Sequence, residues 1–325
     1  MSEGQRRTDH PAHGRDRGLS RRTLLGALAA GGAIAASGPL RAAFAAEGMR
    51  TRKIPSSGEA LPVMGLGTAD AFNVPPGPGR DPLRAVLRRF GELGGRVVDT
   101  SPTYGYAEDA VGALGADLGL LGRPVDPLFL ATKVHERGRE AGIEQMQRSE
   151  RTLRRTPLDL IQVHNLVDVQ TQLDTLRRWK ESGRIRYLGI THYYTGAFGA
   201  LERLLRSERL DFVQFNYSVT TPDAERRLLP LAAERGVAVL VNRPFEDGRL
   251  FRATRGRPLP SWAAEFDCAS WAQFALKYVI AHPAVTAAIP ATSNPRHLED
   301  NMQAGRGRLP DQSLRRRMRQ VAGAL

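Results

Sequence analysis

The sequence predicts an α/β fold, a (β/α)8 TIM barrel in one domain, preceded by a signal segment. Short apolar or β-branched runs alternate with longer amphipathic ones, eight of each, between residues 46 and 325. Three of the runs end on a polar, titratable residue: Asp99, Lys133 and His164, with Tyr104 five residues beyond Asp99. No linker or shift of composition divides the stretch, and roughly 250 residues suffice for such a barrel.

Taken in order, strands are predicted near 62–66, 96–100, 128–133, 158–163, 186–191, 211–215, 237–241 and 285–289. Helices are predicted near 81–94, 107–119, 140–154, 169–182, 196–206, 223–235, 268–281 and 295–303, with a final helix at 311–322. Arg50 to Glu59 reads as a small hairpin that plugs the barrel floor. Phe72 to Asp81 and Asn242 to Phe266 are rich in Pro and Gly, follow strands, and should overhang the active face as loops. The competing architecture is a doubly wound open sheet. It wants a Gly-x-Gly-x-x-Gly turn after the first strand, and Gly65-Leu66-Gly67-Thr68 lacks the third glycine.

Residues 1–45 read as an address rather than part of the fold. Ser20-Arg21-Arg22-Thr23-Leu24-Leu25-Gly26 precedes an apolar stretch, Leu24 to Ala36, too short to span a bilayer. Ala43-Phe44-Ala45 offers a small-residue cleavage site. The paired arginines resemble a twin-arginine export motif. The expected partner is the twin-arginine export machinery. The expected location is the periplasm, or the cytoplasm if the signal does not function, with no membrane anchor after cleavage.

The net charge of +13 does not mark a nucleic-acid binder. The first 45 residues hold seven arginines against three acids, and the remainder is spread over helices already mixed with acids. Only Arg315-Arg316-Arg317-Met318-Arg319 is dense, and a solvated final helix explains it. The single cysteine, Cys268, rules out an internal disulfide and reads as a packed residue at a helix start. His164, His192, His282 and His297 lie on different elements without zinc-ligand spacing, so no metal is expected.

The motifs at the strand ends resemble those of the aldo-keto reductase family from about residue 50 to 305. They are Gly65-Leu66-Gly67-Thr68, Asp99-Thr100-Ser101-Pro102-Thr103-Tyr104-Gly105, Ala131-Thr132-Lys133, Asp159 through His164-Asn165, Arg186 through Gly189, Gln214-Phe215-Asn216-Tyr217, and Ile289-Pro290 with Glu299-Asp300-Asn301. Any one is weak; seven in order at this spacing are specific. The resemblance implies reversible reduction of a small aldehyde or ketone to an alcohol. The cofactor it implies is NADP, with NAD less favoured.

Chemistry runs beside the resemblance. A phenol titrates near 10, and a nearby ammonium lowers that value. Lys133 can supply the charge and Asp99 can hold Lys133 by a charge-assisted hydrogen bond. His164 can donate to the substrate oxygen, and Tyr104 can act as the general acid. The implied cofactor-binding set is Gly67, Thr68, Asp99, Asn165, Thr191, His192, Gln214, Asn242, Pro244, Pro290, Thr292, Ser293, Arg296, Asp300 and Asn301. Thr191-His192 stands where the family has Ser-Asn, and Asn242 stands where it has a stacking aromatic. The loop Ile289 to Arg296 enters a helix whose N-terminus suits a phosphate, and Arg296 can pair with an adenosine 2′-phosphate. A nucleotide-binding sensor or auxiliary subunit with little turnover is the alternative reading.

Overall fold

The computed structural model describes residues 48–121 and 127–325; residues 1–45, read from the sequence as an export signal, lie outside the described residues. Eight parallel strands pair in sequence order: β3 (Leu66–Gly67), β4 (Val97–Asp99), β5 (Phe129–Val134), β6 (Leu158–His164), β7 (Ile185–His192), β8 (Phe212–Asn216), β9 (Ala238–Asn242) and β10 (Ala287–Ala288). Parallel bridges from Met64 to Ala288 and from Gly67 to Ala291 close the ring. A Cβ on Gly67 would sit 2.6 Å from the Ile289 carbonyl oxygen, so the seam between first and last strands requires a glycine there. The fold is therefore the predicted (β/α)8 barrel.

Around the strands lie α1 (Asp81–Glu92), α2 (Ala107–Asp117), α3 (Arg139–Thr152), α4 (Val169–Glu181), α5 (Phe198–Ser207), α6 (Leu228–Glu234), α7 (Arg249–Ala253), α8 (Trp271–Ile280), α9 (Pro295–Gln303) and α10 (Gln312–Gly323). Their apolar faces and the outward residues of the strands form one large buried cluster.

A second cluster fills the barrel. Period-two alternation sends Val97, Phe129, Ala131, Leu160, Tyr187, Phe212, Ala238, Leu240 and Ala287 inward. Ile54 and Leu61 join them from the hairpin of β1 (Thr51–Lys53) and β2 (Ala60–Pro62). The Tyr187 hydroxyl donates to Glu59 Oε2 (2.9 Å) and shares a hydrogen bond with the Ser57 hydroxyl (2.7 Å). The hairpin thus plugs the floor, at the N-terminal ends of the strands. The same alternation carried upward brings Asp99, Lys133, Gln162, His164, Thr191, Gln214 and Asn242 to the opposite end.

The structure corrects four boundaries. Pro62 belongs to the hairpin, and the first barrel strand is Leu66–Gly67 rather than 62–66. The helix expected over 223–235 breaks at Arg227 (φ −142°, ψ −51°) into a 3-10 turn, Asp223–Arg226, and α6. The helix expected from 268 begins at 271, because extended Ser270 caps it and its Oγ accepts from Gln273 N (3.0 Å). The stretch 242–266, read as loop, contains α7 and a 3-10 turn, Ser261–Phe266. Cys268 is buried just ahead of that cap, and desolvation pushes its thiol up to about 12.

Candidate active site

Asp99 ends β4, and its neighbours are fixed by the ladder register. Asp99 pairs with Ala131 across β5, so Lys133 stands one inward position higher. Lys133 Nζ donates to Asp99 Oδ2 at 2.6 Å and to the Thr100 carbonyl at 2.7 Å. The other carboxylate oxygen accepts from Gln214 Nε2 (2.8 Å) and Gln162 Nε2 (3.3 Å). All four side chains are buried. A charge this deep is tolerated only when paired and hydrogen-bonded throughout, and this pair is.

Tyr104 lies on the loop between β4 and α2. Lys133 Nζ sits 4.9 Å from the centroid of its ring. Burial raises the Tyr104 pKa, while the charge of Lys133 pulls the other way. The expected lowering by the ammonium is therefore present as an opposing force, but desolvation decides the net direction. Lys133 itself is displaced upward. Burial works against its charge, and Asp99 and Tyr104 outweigh that.

His164 ends β6 with its ring edge-on to Tyr104, centroids 5.8 Å apart. Burial, aided by the Lys133 charge, lowers its pKa to about 2, so the ring is neutral at ordinary pH. Its Nδ1 lies 3.2 Å from Ser101 Oγ and 3.4 Å from Thr103 Oγ1. With those hydroxyls donating, the single ring proton falls on Nε2.

Asp99, Tyr104 and His164 share one cavity of about 790 Å³, lined also by Gly67, Thr68, Asp70, Asn165, Thr191, Gln214, Asn242, Pro244 and Pro290, with Lys133 buried behind Asp99. Asn165, at φ 52°, and Asn242 each hold a buried Oδ1 with no partner. Gln214 is fully engaged: its Oε1 accepts from Thr191 Oγ1 (3.1 Å) and Asn242 Nδ2 (3.2 Å), and its Nε2 serves Asp99. Asn242 thus extends the Asp99 network.

The remaining predicted residues do not line this cavity. His192 stacks on Tyr193, and its Nδ1 accepts from Tyr194 N. Thr292 and Ser293 lie further along the loop that leads to α9. There Asn294 caps the helix by accepting from Arg296 N at 2.9 Å, and Arg296 is exposed. Asn301 is buried on α9. Asp300 is committed elsewhere, accepting from Ser270 Oγ and Gln273 Nε2, both at 2.6 Å.

Sequence reasoning passed over Gln162, although the alternation that turns His164 inward turns Gln162 inward too. It also passed over Ser101, Thr103 and Asp70, which sit on turns without periodicity. Among the described residues no cluster of His, Cys, Asp and Glu is arranged to hold a metal, and no helix is long and apolar enough to cross a membrane.

Residues 63–318 match the Aldo/keto reductase family. The chain belongs to that family. It is an oxidoreductase of the aldo-keto reductase type. Among solved structures it is similar to an aldo/keto reductase from Klebsiella pneumoniae in complex with NADP and acetate. Identity is 24%, TM-score 0.69, and the match covers 82% of this chain and 93% of that one. A second aldo-keto reductase from Klebsiella pneumoniae, in complex with NADPH, gives 22% identity, TM-score 0.70, and coverage of 85% and 95%. The holo form of an aldo-keto reductase from Bacillus halodurans gives 25% identity, TM-score 0.66, and coverage of 84% and 96%. The distribution of the likeness over nearly the whole barrel agrees with the closed strand order.

Proposed function

We propose that this protein reduces an aldehyde or ketone to an alcohol with NADP as cofactor and Tyr104 as the general acid. The observation that carries the reading is the joint placement of Tyr104, Asp99 and neutral His164 on one cavity at the C-terminal strand ends, with Lys133 paired to Asp99 at 2.6 Å beneath it. The NADP and NADPH in the Klebsiella structures support the same cofactor here. The residues present fit it. The unpartnered Asn165 Oδ1 and Asn242 Oδ1 are acceptors suited to a carboxamide N–H, and the loop entering α9 offers backbone donors to a phosphate. The carboxamide role implied for Gln214 is weakened by its internal bonds, and that for His192 by its position.

When bound, the reduced nicotinamide supplies a hydride for the carbonyl carbon. The chain handles the oxygen. His164 donates from Nε2 and orients the carbonyl. Tyr104, kept protonated by its burial, releases its proton only as negative charge builds on that oxygen. The phenolate left behind is stabilised by the Lys133 ammonium, which Asp99 holds in place through Oδ2. Reversal returns the proton to Tyr104. The reading extends to location: the Arg21-Arg22 segment and the small-residue site at 43–45 support export through the twin-arginine route.

The test is oxidation of NADPH by the purified protein with simple aromatic and aliphatic aldehydes, followed by absorbance, beside Tyr104→Phe. Aldehyde-dependent oxidation that the variant lacks is expected. Tight NADPH binding without turnover would instead favour the sensor reading.

A further inference from the structure

Charge around the cavity is balanced at every position but one. Four of its lining residues carry charge: Asp70, Asp99, Arg243 and Asp247. Asp99 is neutralised by Lys133 at 2.6 Å. Asp247 is gripped by Arg243, with Nε to Oδ1 at 3.1 Å and Nη2 on Oδ2. That guanidinium also lies 5.6 Å from the centre of the Tyr193 ring, which holds it on its own side of the mouth. Asp70 has neither a hydrogen bond nor an ion pair among the described residues, and it is exposed.

Asp70 is also held where it is. It follows β3 at the apex of a tight turn, with Phe72 N donating to Thr68 O at 3.0 Å. Its own φ is 56°, a left-handed conformation that Asp and Asn tolerate better than most residues. Phe72, fully buried, anchors the far side of the turn, and buried Thr68 anchors the near side through its Oγ1 on Asp99 O (2.9 Å). The carboxylate is near enough to Tyr104 to act on that phenol's titration. Phe245 and Phe251, ring centroids 4.8 Å apart, add apolar surface to the same cavity.

We propose that Asp70 sets the substrate class, selecting carbonyl compounds that carry a cationic amine on an apolar body and rejecting those that carry a carboxylate. This rests on the carbonyl-reductase reading above. The uncompensated carboxylate attracts an ammonium group and repels an anion, while the two phenylalanines cover the apolar portion. Because Asp70 is exposed, both effects act through solvent and weaken with added salt.

The experiment compares 4-(trimethylammonio)benzaldehyde with 4-carboxybenzaldehyde, alike in shape and opposite in charge. Wild type and Asp70→Asn are assayed with NADPH at low and high salt. Asparagine keeps the left-handed turn and removes only the charge. The readout is the ratio of kcat/KM for cation over anion, in which any general change in Tyr104 cancels. Wild type should favour the cation, and the variant should lower the ratio by about five- to fiftyfold, less at high salt. An unchanged ratio, or a wild type that prefers the carboxylate, overturns the proposal. Calorimetry of the two corresponding benzyl alcohols with the NADP-loaded protein separates this from the reaction itself. Should neither aldehyde be turned over, the reductase reading fails. The same loss of charge preference in binding would still support Asp70 as the selector, and equal binding of the two alcohols by wild type and variant would overturn it.

Discussion

The ammonium of Lys133 and the carboxylate of Asp99 meet at 2.6 Å with side chains only 1% and 4% exposed. The pair is bound from three further sides, by the Thr100 carbonyl and by the amides of Gln162 and Gln214. Such a pair has two consequences. It makes the site rigid, and it makes either partner costly to remove alone.

Lys133→Met should therefore do two things. It leaves Asp99 buried without its counter-charge, a loss of about 3–5 kcal/mol in unfolding free energy by denaturant titration. Adding Asp99→Asn should recover part of that loss. In whatever fraction stays folded, the Tyr104 phenol should titrate higher still, because the charge that opposed burial is gone. A spectrophotometric titration with no upward shift would separate Lys133 from Tyr104.

Tyr104→Phe keeps the ring against His164 and removes only the hydroxyl. Turnover should fall by roughly 10²–10⁴, the usual worth of a positioned acid, with cofactor affinity little altered. A variant within about threefold of wild type would end the assignment of Tyr104 as acid, since that lies far outside the range for lost acid catalysis.

His164 predicts the shape of the acid limb. Its folded pKa is lowered to about 2 against an ordinary 6.5, so below pH 6.5 the unfolded chain binds a proton the folded chain refuses. Stability must then fall as pH drops from 6.5 toward 2, by up to about 1.4 kcal/mol per pH unit for this one group. His282, lowered to about 4 by burial, acts in the same sense over a narrower window. His164→Asn should flatten the decline between pH 6 and 4 by the His164 share, and in the wild type the His164 ring resonances should not titrate across that window by NMR. A His164 midpoint near 6 would contradict the neutral donor.

How much of this was legible in the sequence depends on periodicity. Asp99, Lys133 and His164 close short apolar runs, and a barrel turns alternate residues inward, so the three could be placed together without coordinates. The floor hairpin was legible for the same reason. Asp70 was not: it sits on a turn whose geometry depends on Phe72 and Thr68 being buried by elements elsewhere in the chain. Nor was the fate of Gln214, whose two ends are claimed by Asp99, Thr191 and Asn242 from three other strands. Helix ends slipped where a cap intervened, as at Ser270, because a serine there competes with the turn that an amphipathic pattern would extend.

The export address makes a prediction independent of the barrel. Arg21→Lys with Arg22→Lys should hold the protein in the cytoplasm, folded and active, because a receptor reads the arginine pair as an address. Fractionation showing the double variant in the periplasm at wild-type levels would remove the export proposal.

The choice between cofactors rests on Arg296. Asn294 caps α9 and accepts from the Arg296 backbone N–H at 2.9 Å, which fixes the residue in the first turn of the helix. The side chain is exposed and carries no ion pair among the described residues. A free guanidinium at a helix N-terminus strengthens a place where an anion is already favoured by the dipole. An adenosine 2′-phosphate offers the guanidinium two acceptor oxygens, whereas the NAD ribose offers only a neutral hydroxyl. Arg296→Ala should weaken NADP binding by about 1.5–3 kcal/mol, the range for hydrogen bonds to charged groups, and leave NAD nearly unchanged. The competing possibility is that Thr292, Ser293 and backbone N–H groups carry the phosphate while Arg296 remains solvated. Dissociation constants for both cofactors, measured on wild type and variant at one ionic strength, decide between them. Equal losses for NADP and NAD, or no loss for either, would transfer the discrimination from Arg296 to the loop.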